Sequence, residues 1–189
     1  MPTELECKIP IESHEPIRRR LRQAGAEYVG RVQEVNGIFD DAAGSLRKAG
    51  CGLRVRAVEV LDGKGPGATW TYKGPRQPGA FKCREELEVS IGAAETATAI
   101  LQALGYQRRV VFEKRRESWR LNSGRVELDE VPTLGCFVEV EASSDEVIGS
   151  ILNQLRLSGE SHLNTGYVSM LADRYDAGDG KPIEIRFPR

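Results

Sequence analysis

In seven short segments of this chain, charged or hydroxyl side chains fall on alternate positions and mostly apolar ones on the positions between. Glu4, Glu6 and Lys8 alternate with Leu5, Cys7 and Ile9, and Arg54 and Arg56 alternate with Leu53 and Val55. Thr69, Thr71 and Lys73 alternate with Trp70 and Tyr72, and Arg84, Glu86 and Glu88 lie opposite Leu87 and Val89. Lys114 and Arg116 form a further pair, Glu127 and Asp129 alternate with Val126 and Leu128, and Glu139 and Glu141 alternate with Val138 and Val140. Successive side chains of a strand point to opposite faces, so each segment has one ionic face and one apolar face. A single strand of this kind is an ordinary sheet edge with one wet face. Seven of them imply a sheet long enough to curl or close. An eight-stranded barrel has an interior sized for side chains or one small ligand. If helices cover the apolar faces from outside, the charges line the inside. The expected fold is therefore α+β, a closed eight-stranded antiparallel β-barrel forming a tunnel, with helices packed outside.

The order of elements agrees. Strands are expected at Thr3–Ile11, Glu27–Phe39, Gly52–Val60, Ala68–Gly74, Phe81–Ile91, Tyr106–Ser118, Trp119–Leu121, Arg125–Asp129 and Cys136–Ala142. Helices are expected from Ser13 to Gly25, with Ser13 as N-cap and Pro16 in the first turn, then at Ala94–Leu104, Asp145–Leu155 and Gly166–Tyr175. Residues 1–176 read as one domain, and 177–189 as a tail with a short strand at Ile183–Phe187. Mostly successive strands favour antiparallel pairing.

Composition narrows the function. The net charge of −1, from 27 basic and 28 acidic residues, argues against a duplex nucleic-acid partner. No apolar run reaches the ~20 residues of a membrane helix, and the start, Met1 to Glu6, has no signal-peptide core. A cytoplasmic location without membrane or nucleic-acid partners is expected. Cys7, Cys51, Cys83 and Cys136 form no CxxC pair, which argues against a zinc site or disulfide framework. His14 and His162 read as surface residues, and Cys7, Cys83 and Cys136 as small apolar groups under helices. The P-loop and G-x-S-x-G patterns are absent.

An interior crowded with charge demands counter-charge. Two like charges ~4 Å apart repel by about 4 kcal/mol at an effective dielectric of ~20. Paired acids such as Glu4/Glu6 and Glu139/Glu141 call for cations, and Arg54, Arg56, Lys114 and Arg116 call for anions. Internal salt bridges meet part of this need. A polyanion carrying a hard divalent ion meets both at once, because such ions prefer carboxylate oxygen and bridge it to phosphate, while Arg and Lys bind phosphate oxygens. Phosphoryl or nucleotidyl transfer relies on positioning and charge stabilisation and needs no protein nucleophile.

Glu4-Leu5-Glu6-Cys7-Lys8 resembles the ExExK signature of the CYTH superfamily, the triphosphate tunnel metalloenzymes. Phe39-Asp40, Leu53-Arg54-Val55-Arg56, Thr71-Tyr72-Lys73-Gly74, Arg84 to Glu88, Glu113 to Arg116 and Leu134 to Glu141 resemble its successive blocks, in a form similar to the class IV adenylyl cyclase-like branch. The resemblance implies a metal-dependent enzyme acting on a triphosphate in the tunnel: an adenylyl cyclase making cyclic AMP and pyrophosphate from ATP or, alternatively, an inorganic or thiamine triphosphatase releasing orthophosphate. It implies Mg²⁺ or Mn²⁺ held by Glu4, Glu6, Glu139, Glu141 and Asp129. It implies Lys8, Arg54, Arg56, Lys73, Arg84, Lys114 and Arg116 on the substrate, assisted by Glu86 and Glu88, with Lys8 or Lys73 orienting or activating the nucleophile. Arg174, Lys181 and Arg186 are candidates for a basic residue reaching the tunnel from the C-terminal segment, and a homodimer is compatible with the family. A non-catalytic polyphosphate- or nucleotide-binding module would need the basic set but not the acid pairs, and a purely structural barrel would need neither ligand.

Overall fold

The computed structural model describes residues 3–63, 67–174 and 182–188. The first two strands are β1 (Thr3–Ile11) and β2 (Glu27–Asp40), separated by helix α1 (Glu15–Gln23). Helix α2 (Ser45–Lys48) precedes β3 (Gly52–Gly63), β4 (Thr69–Gln77) and β5 (Lys82–Ser90). After helix α3 (Ala94–Ala103) come β6 (Gln107–Leu121), β7 (Gly124–Val131) and β8 (Gly135–Glu141). Helices α4 (Asp145–Gln154) and α5 (Tyr167–Arg174) and strand β9 (Ile183–Ile185) complete the order.

Eight strands form a ring in the order β2-β3-β4-β5-β1-β8-β7-β6, and β6 pairs back with β2. That closing seam runs from Glu27 opposite Arg120 to Asp40 opposite Gln107, with two register shifts. All pairings within the ring are antiparallel, as the order of strands implied. The short β9 adds in parallel to Val110–Phe112 of β6, beyond the stretch that β7 occupies.

Sequence and structure differ in a few elements. The expected strands Tyr106–Ser118 and Trp119–Leu121 are one continuous β6 of 15 residues, because β2 pairs along its whole length. The one-turn α2 was not expected. Its turn is held by Asp40, whose buried carboxylate accepts from the backbone N–H groups of Asp41, Leu46 and Arg47. His14, not Ser13, is the N-cap residue of α1, while the Ser13 hydroxyl accepts from Glu15 N at 3.3 Å.

The apolar faces pack outward under helices, as the alternation predicts. Ile17 and Leu21 of α1 and Ile148, Ile151 and Leu152 of α4 bury Cys7, Ile9, Val126, Leu128, Val138 and Val140. Ala97 and Leu101 of α3 cover Phe39, Leu53 and Val55. Cover fails over β5, where Leu87 and Val89 remain 48 % and 56 % exposed. Cys7 joins the core, whereas Cys83 and Cys136 are only half-buried.

A third apolar cluster joins Val110, Phe112, Val131 and Phe137 to Tyr167, Leu171 and Ile185. Phe112, Val131 and Phe137 lie two residues from Lys114, Asp129 and Glu139, so period two puts them on the ionic face, inside the ring. Helix α5 therefore plugs one end of the interior. The preceding segment crosses the rim: Leu163 N donates to Lys8 O at 2.7 Å, and Arg76 donates to Asn164 O at 3.3 Å. At the opposite end of β7 and β8, Arg120, Arg125 and Glu141 line a cleft of about 500 Å³ beside the β6–β7 turn.

One glycine is required by close approach. Gly63 has φ +69°, and a Cβ there would stand 2.6 Å from Val29 O and 2.7 Å from Gly30 Cα. Gly63→Ala is expected to cost about 1–3 kcal/mol in a urea denaturation measurement, by prising β3 from β2 at the point of their register shift.

Candidate active site

Register alone brings the expected residues together. Lys8 stands opposite Glu139 and Glu6 opposite Glu141 across the β1–β8 pair. Glu139 in turn faces Glu127, and Arg125 faces Glu141, across β7–β8. Asp129 faces Arg116. On the other side of the ring, Arg54 faces Thr71, which faces Glu88, while Lys73 faces Glu86. Glu4 is placed opposite Arg84 by its backbone. The side chains of Glu4 and Arg174, and Lys181 altogether, lie outside the described residues. Arg186 is exposed and pairs with Glu113 and Glu184, away from the lining.

Charge is sorted around the ring. Strands β1, β8 and β7 contribute Glu6, Glu139, Glu141, Glu127 and Asp129, with Lys8 among them. Strands β3, β4 and β5 contribute Arg54, Arg56, Lys73, Lys82 and Arg84, balanced by Glu86 and Glu88. Lys114 and Arg116 stand at the β6 seam beside Glu34 of β2.

On the acidic side, Lys8 Nζ lies 2.9 Å from Glu139 and 3.4 Å from Glu6, and Lys82 Nζ lies 2.6 Å from Glu6. Burial works against the Lys8 charge, but Glu139 and Glu6 overcome it and hold its pKa above the ordinary lysine value. With these partners Lys8 is held as a cation, a form that can orient a group. Burial likewise opposes the Glu139 charge, and Lys8 and Arg116 overcome it, holding the carboxylate well below its usual range. Burial raises the Glu127 pKa to about 7, against the pull of Arg116 and the Ser118 hydroxyl.

Asp129 is fully buried and fully engaged. Arg116 donates to it through Nε at 2.7 Å and Nη2 at 2.6 Å, Lys114 Nζ at 3.2 Å, and the Tyr167 hydroxyl at 3.0 Å. Arg116 also pairs with Glu139. His14, expected as a plain surface residue, is half-buried, and its ring N–H donates to the Asp129 carbonyl at 3.0 Å.

On the basic side the arginine ion pairs are longer. Arg54 lies 3.6 Å from Glu86 and 3.3 Å from Glu88, and Arg56 lies 3.5 Å from Glu34. Lys73 pairs with Glu86 at 2.6 Å. The Nε–H groups of Arg54, Arg56 and Arg84 are buried without a hydrogen-bond acceptor among the described residues. Burial and the neighbouring Arg56 push the Arg54 pKa down, the signature of excess positive charge. A buried donor left unpaired costs about 1–3 kcal/mol, more when charged, and an anion of several oxygens is what such a wall lacks.

The donor set suits a hard divalent ion in kind, since Glu6, Glu139 and Glu141 offer carboxylate oxygen on adjacent strands. Among the described residues, however, no three acidic, histidine or cysteine side chains converge on one metal position. Lys8 stands between Glu6 and Glu139, and Lys82 pairs with Glu6.

Four lining residues escaped the reading of the sequence as a site. Lys82 precedes the Arg84–Glu88 block by one period and was legible in principle. Glu34 and Asn36 lie on a strand whose apolar and polar residues do not alternate cleanly. Tyr167 reaches the interior from a helix, where no strand period applies. Its ring lies 4.0 Å from Lys8 Nζ and packs edge-on to Phe137 at 5.1 Å.

A closed β-ring with an ionic, sorted lining and one plugged end defines a tunnel protein. Residues 2–167 match the CYTH domain, and the chain belongs to that family. A Methanocaldococcus jannaschii protein named "putative adenylate cyclase" is 26 % identical over 176 residues, covering 88 % of this chain and 97 % of the relative. The fold is shared with a Pyrococcus horikoshii protein, at TM-score 0.77 and 24 % identity, covering 91 % of this chain and 99 % of that one. It is also shared with a Hippeastrum protein described as a "putative adenylyl cyclase" with a dominant triphosphatase activity, at TM-score 0.69 and 17 % identity, covering 92 % and 95 %. No helix among the described residues is long and apolar enough to cross a membrane.

Proposed function

We propose that this protein is a divalent-metal-dependent triphosphatase that releases orthophosphate from the end of a linear triphosphate. The observation that carries the reading is the set of buried guanidinium Nε–H groups on Arg54, Arg56 and Arg84 that find no acceptor among the described residues. They face the phosphate chain, joined by Lys73, Lys114 and Arg116. Glu6, Glu139 and Glu141, with Glu4, would hold Mg²⁺ or Mn²⁺, which would offset the negative charge of the phosphates when bound. Asp129 is left out of the metal set because Arg116, Lys114 and Tyr167 already use its oxygens. Lys8, held as a cation, orients a phosphate oxygen.

Two facts favour hydrolysis over cyclisation. Tyr167, Phe137 and Phe112 fill one end of the interior, which leaves less room for a nucleoside beside its phosphates. The Hippeastrum relative is described as having dominant triphosphatase activity. The cyclase remains the second reading, favoured by the name of the Methanocaldococcus relative.

The test is incubation of the pure protein with inorganic triphosphate, thiamine triphosphate and ATP, with Mg²⁺ or Mn²⁺ and with chelator. Orthophosphate release that stops on chelation is expected. Cyclic AMP with pyrophosphate as the only products from ATP would establish the cyclase. Tight metal-free binding without turnover would establish a binding module.

A further inference from the structure

We propose that Glu34 and Asn36 hold the attacking water of this hydrolysis, an inference that rests on the triphosphatase reading above. Both residues lie on the lining face of β2, two positions apart, and each is 1 % exposed. Asn36 Nδ2 donates to Glu34 Oε2 at 3.3 Å. The remaining acceptors, Glu34 Oε1 and Asn36 Oδ1, are both buried and accept no hydrogen bond among the described residues. The cations beside them, Arg56 Nη1 and Lys114 Nζ, stand at 3.5 and 3.4 Å from the Glu34 carboxylate, at ion-pair range.

Two buried acceptors that receive no hydrogen bond among the described residues call for a ligand that brings hydrogens. A metal ion is disfavoured there, because two cations, Arg56 and Lys114, already stand 3.5 and 3.4 Å from the Glu34 carboxylate. A water molecule fits: it has two hydrogens, and a buried water needs two to four polar partners. With its hydrogens on Oε1 and Oδ1, its lone pairs turn away from β2, toward the space between Arg56 and Lys114 where the phosphate chain binds.

The step balances. A water lone pair forms the new O–P bond to the terminal phosphorus. The bond from that phosphorus to the bridging oxygen breaks, and its electron pair leaves on the diphosphate. One water hydrogen stays on the orthophosphate, and the other passes to a phosphoryl oxygen or to solvent. In a loose transition state the proton departs late, so orientation is required of Glu34 and Asn36 rather than strong basicity.

The experiment measures hydrolysis of inorganic triphosphate with Mg²⁺ by the wild type and by Glu34→Gln, Asn36→Leu and Asn36→Asp, and calorimetric binding of non-hydrolysable imidotriphosphate by each. Glu34→Gln and Asn36→Leu are expected to lower kcat roughly 100-fold, the scale of a misplaced reactant. Affinity for imidotriphosphate should be unchanged or tighter in Glu34→Gln, which removes an anion from the cationic wall. Asn36→Asp keeps an acceptor but replaces the Nδ2 donor to Glu34 Oε2 with an oxygen, and should lower kcat as well while raising KM. If kcat stays within about twofold in the first two variants, or if kcat, affinity and thermal midpoint fall together, the water site is overturned while the triphosphatase stands. A wild type that releases no orthophosphate, or makes only cyclic AMP, overturns both.

Discussion

Asp129→Ala is expected to lower the thermal midpoint by about 10 °C. The carboxylate is fully buried and receives Arg116 through two nitrogens, Lys114 and the Tyr167 hydroxyl. Its loss leaves Arg116 and Lys114 as buried cations with fewer partners and frees the tyrosine that anchors α5. Breaking a buried ion pair by removing one partner costs about 3–5 kcal/mol. In a chain of this size each kcal/mol shifts the midpoint by about 2–4 °C. The measurement is a calorimetric or circular-dichroism melt. A metal-ligand role would show differently. Asp129→Asn would then keep its midpoint and raise the Mg²⁺ concentration needed for half-maximal turnover. The structure leads us to expect the reverse, a lowered midpoint with an unchanged metal requirement.

Arg56→Ala is expected to weaken binding of inorganic triphosphate about 100-fold. The guanidinium carries a buried Nε–H without acceptor and pairs with Glu34 at 3.5 Å. A hydrogen bond to a charged group contributes about 1.5–3 kcal/mol, and each 1.4 kcal/mol is tenfold in affinity. Removal also leaves Glu34 to Lys114 alone, which repels the incoming anion further. Titration calorimetry with imidotriphosphate reads the change directly. A barrel held only by internal salt bridges predicts instead a loss of stability with no change in ligand binding.

Tyr167 offers a smaller but cleaner contrast. Tyr167→Phe keeps the ring near Lys8 and removes only the donor to Asp129. A drop in the melt of a few degrees is expected, with triphosphate affinity retained. Tyr167→Ala removes the ring as well and is expected to loosen α5, which a protease-protection assay detects as faster cleavage after residue 160.

The limits of reading the sequence follow from which interactions have a period. Alternation of charge marked Glu6, Lys8, Arg54, Arg56, Lys73, Arg84, Lys114, Arg116, Glu139 and Glu141 correctly as one lining, because a pleated strand converts spacing of two into a shared face. Asp129 lay on the right face, yet its partners come from β6 and α5. Its saturation by Arg116, Lys114 and Tyr167 could not be read from β7. Glu34 and Asn36 were hidden because β2 carries a register shift near Val32, and because apolar Val32 and Ile38 share their face while polar Gln33 lies opposite, which blurs the alternation. The continuous β6 was divided because Ser118 and Trp119 break the local pattern, whereas β2 pairs straight across them.

The sequence by itself determined that this chain closes a sheet around its own charges, since strand period and residue type are local properties written residue by residue. Only the tertiary structure decided which charges neutralise each other and which remain unsatisfied. Ring closure sets Asp129 against Arg116, Lys114 and Tyr167, and leaves Arg54, Arg56 and Arg84 with Nε–H groups that meet no acceptor among the described residues. Electrostatic partnership depends on distance and burial across strands far apart in sequence, and those exist only once the ring has closed.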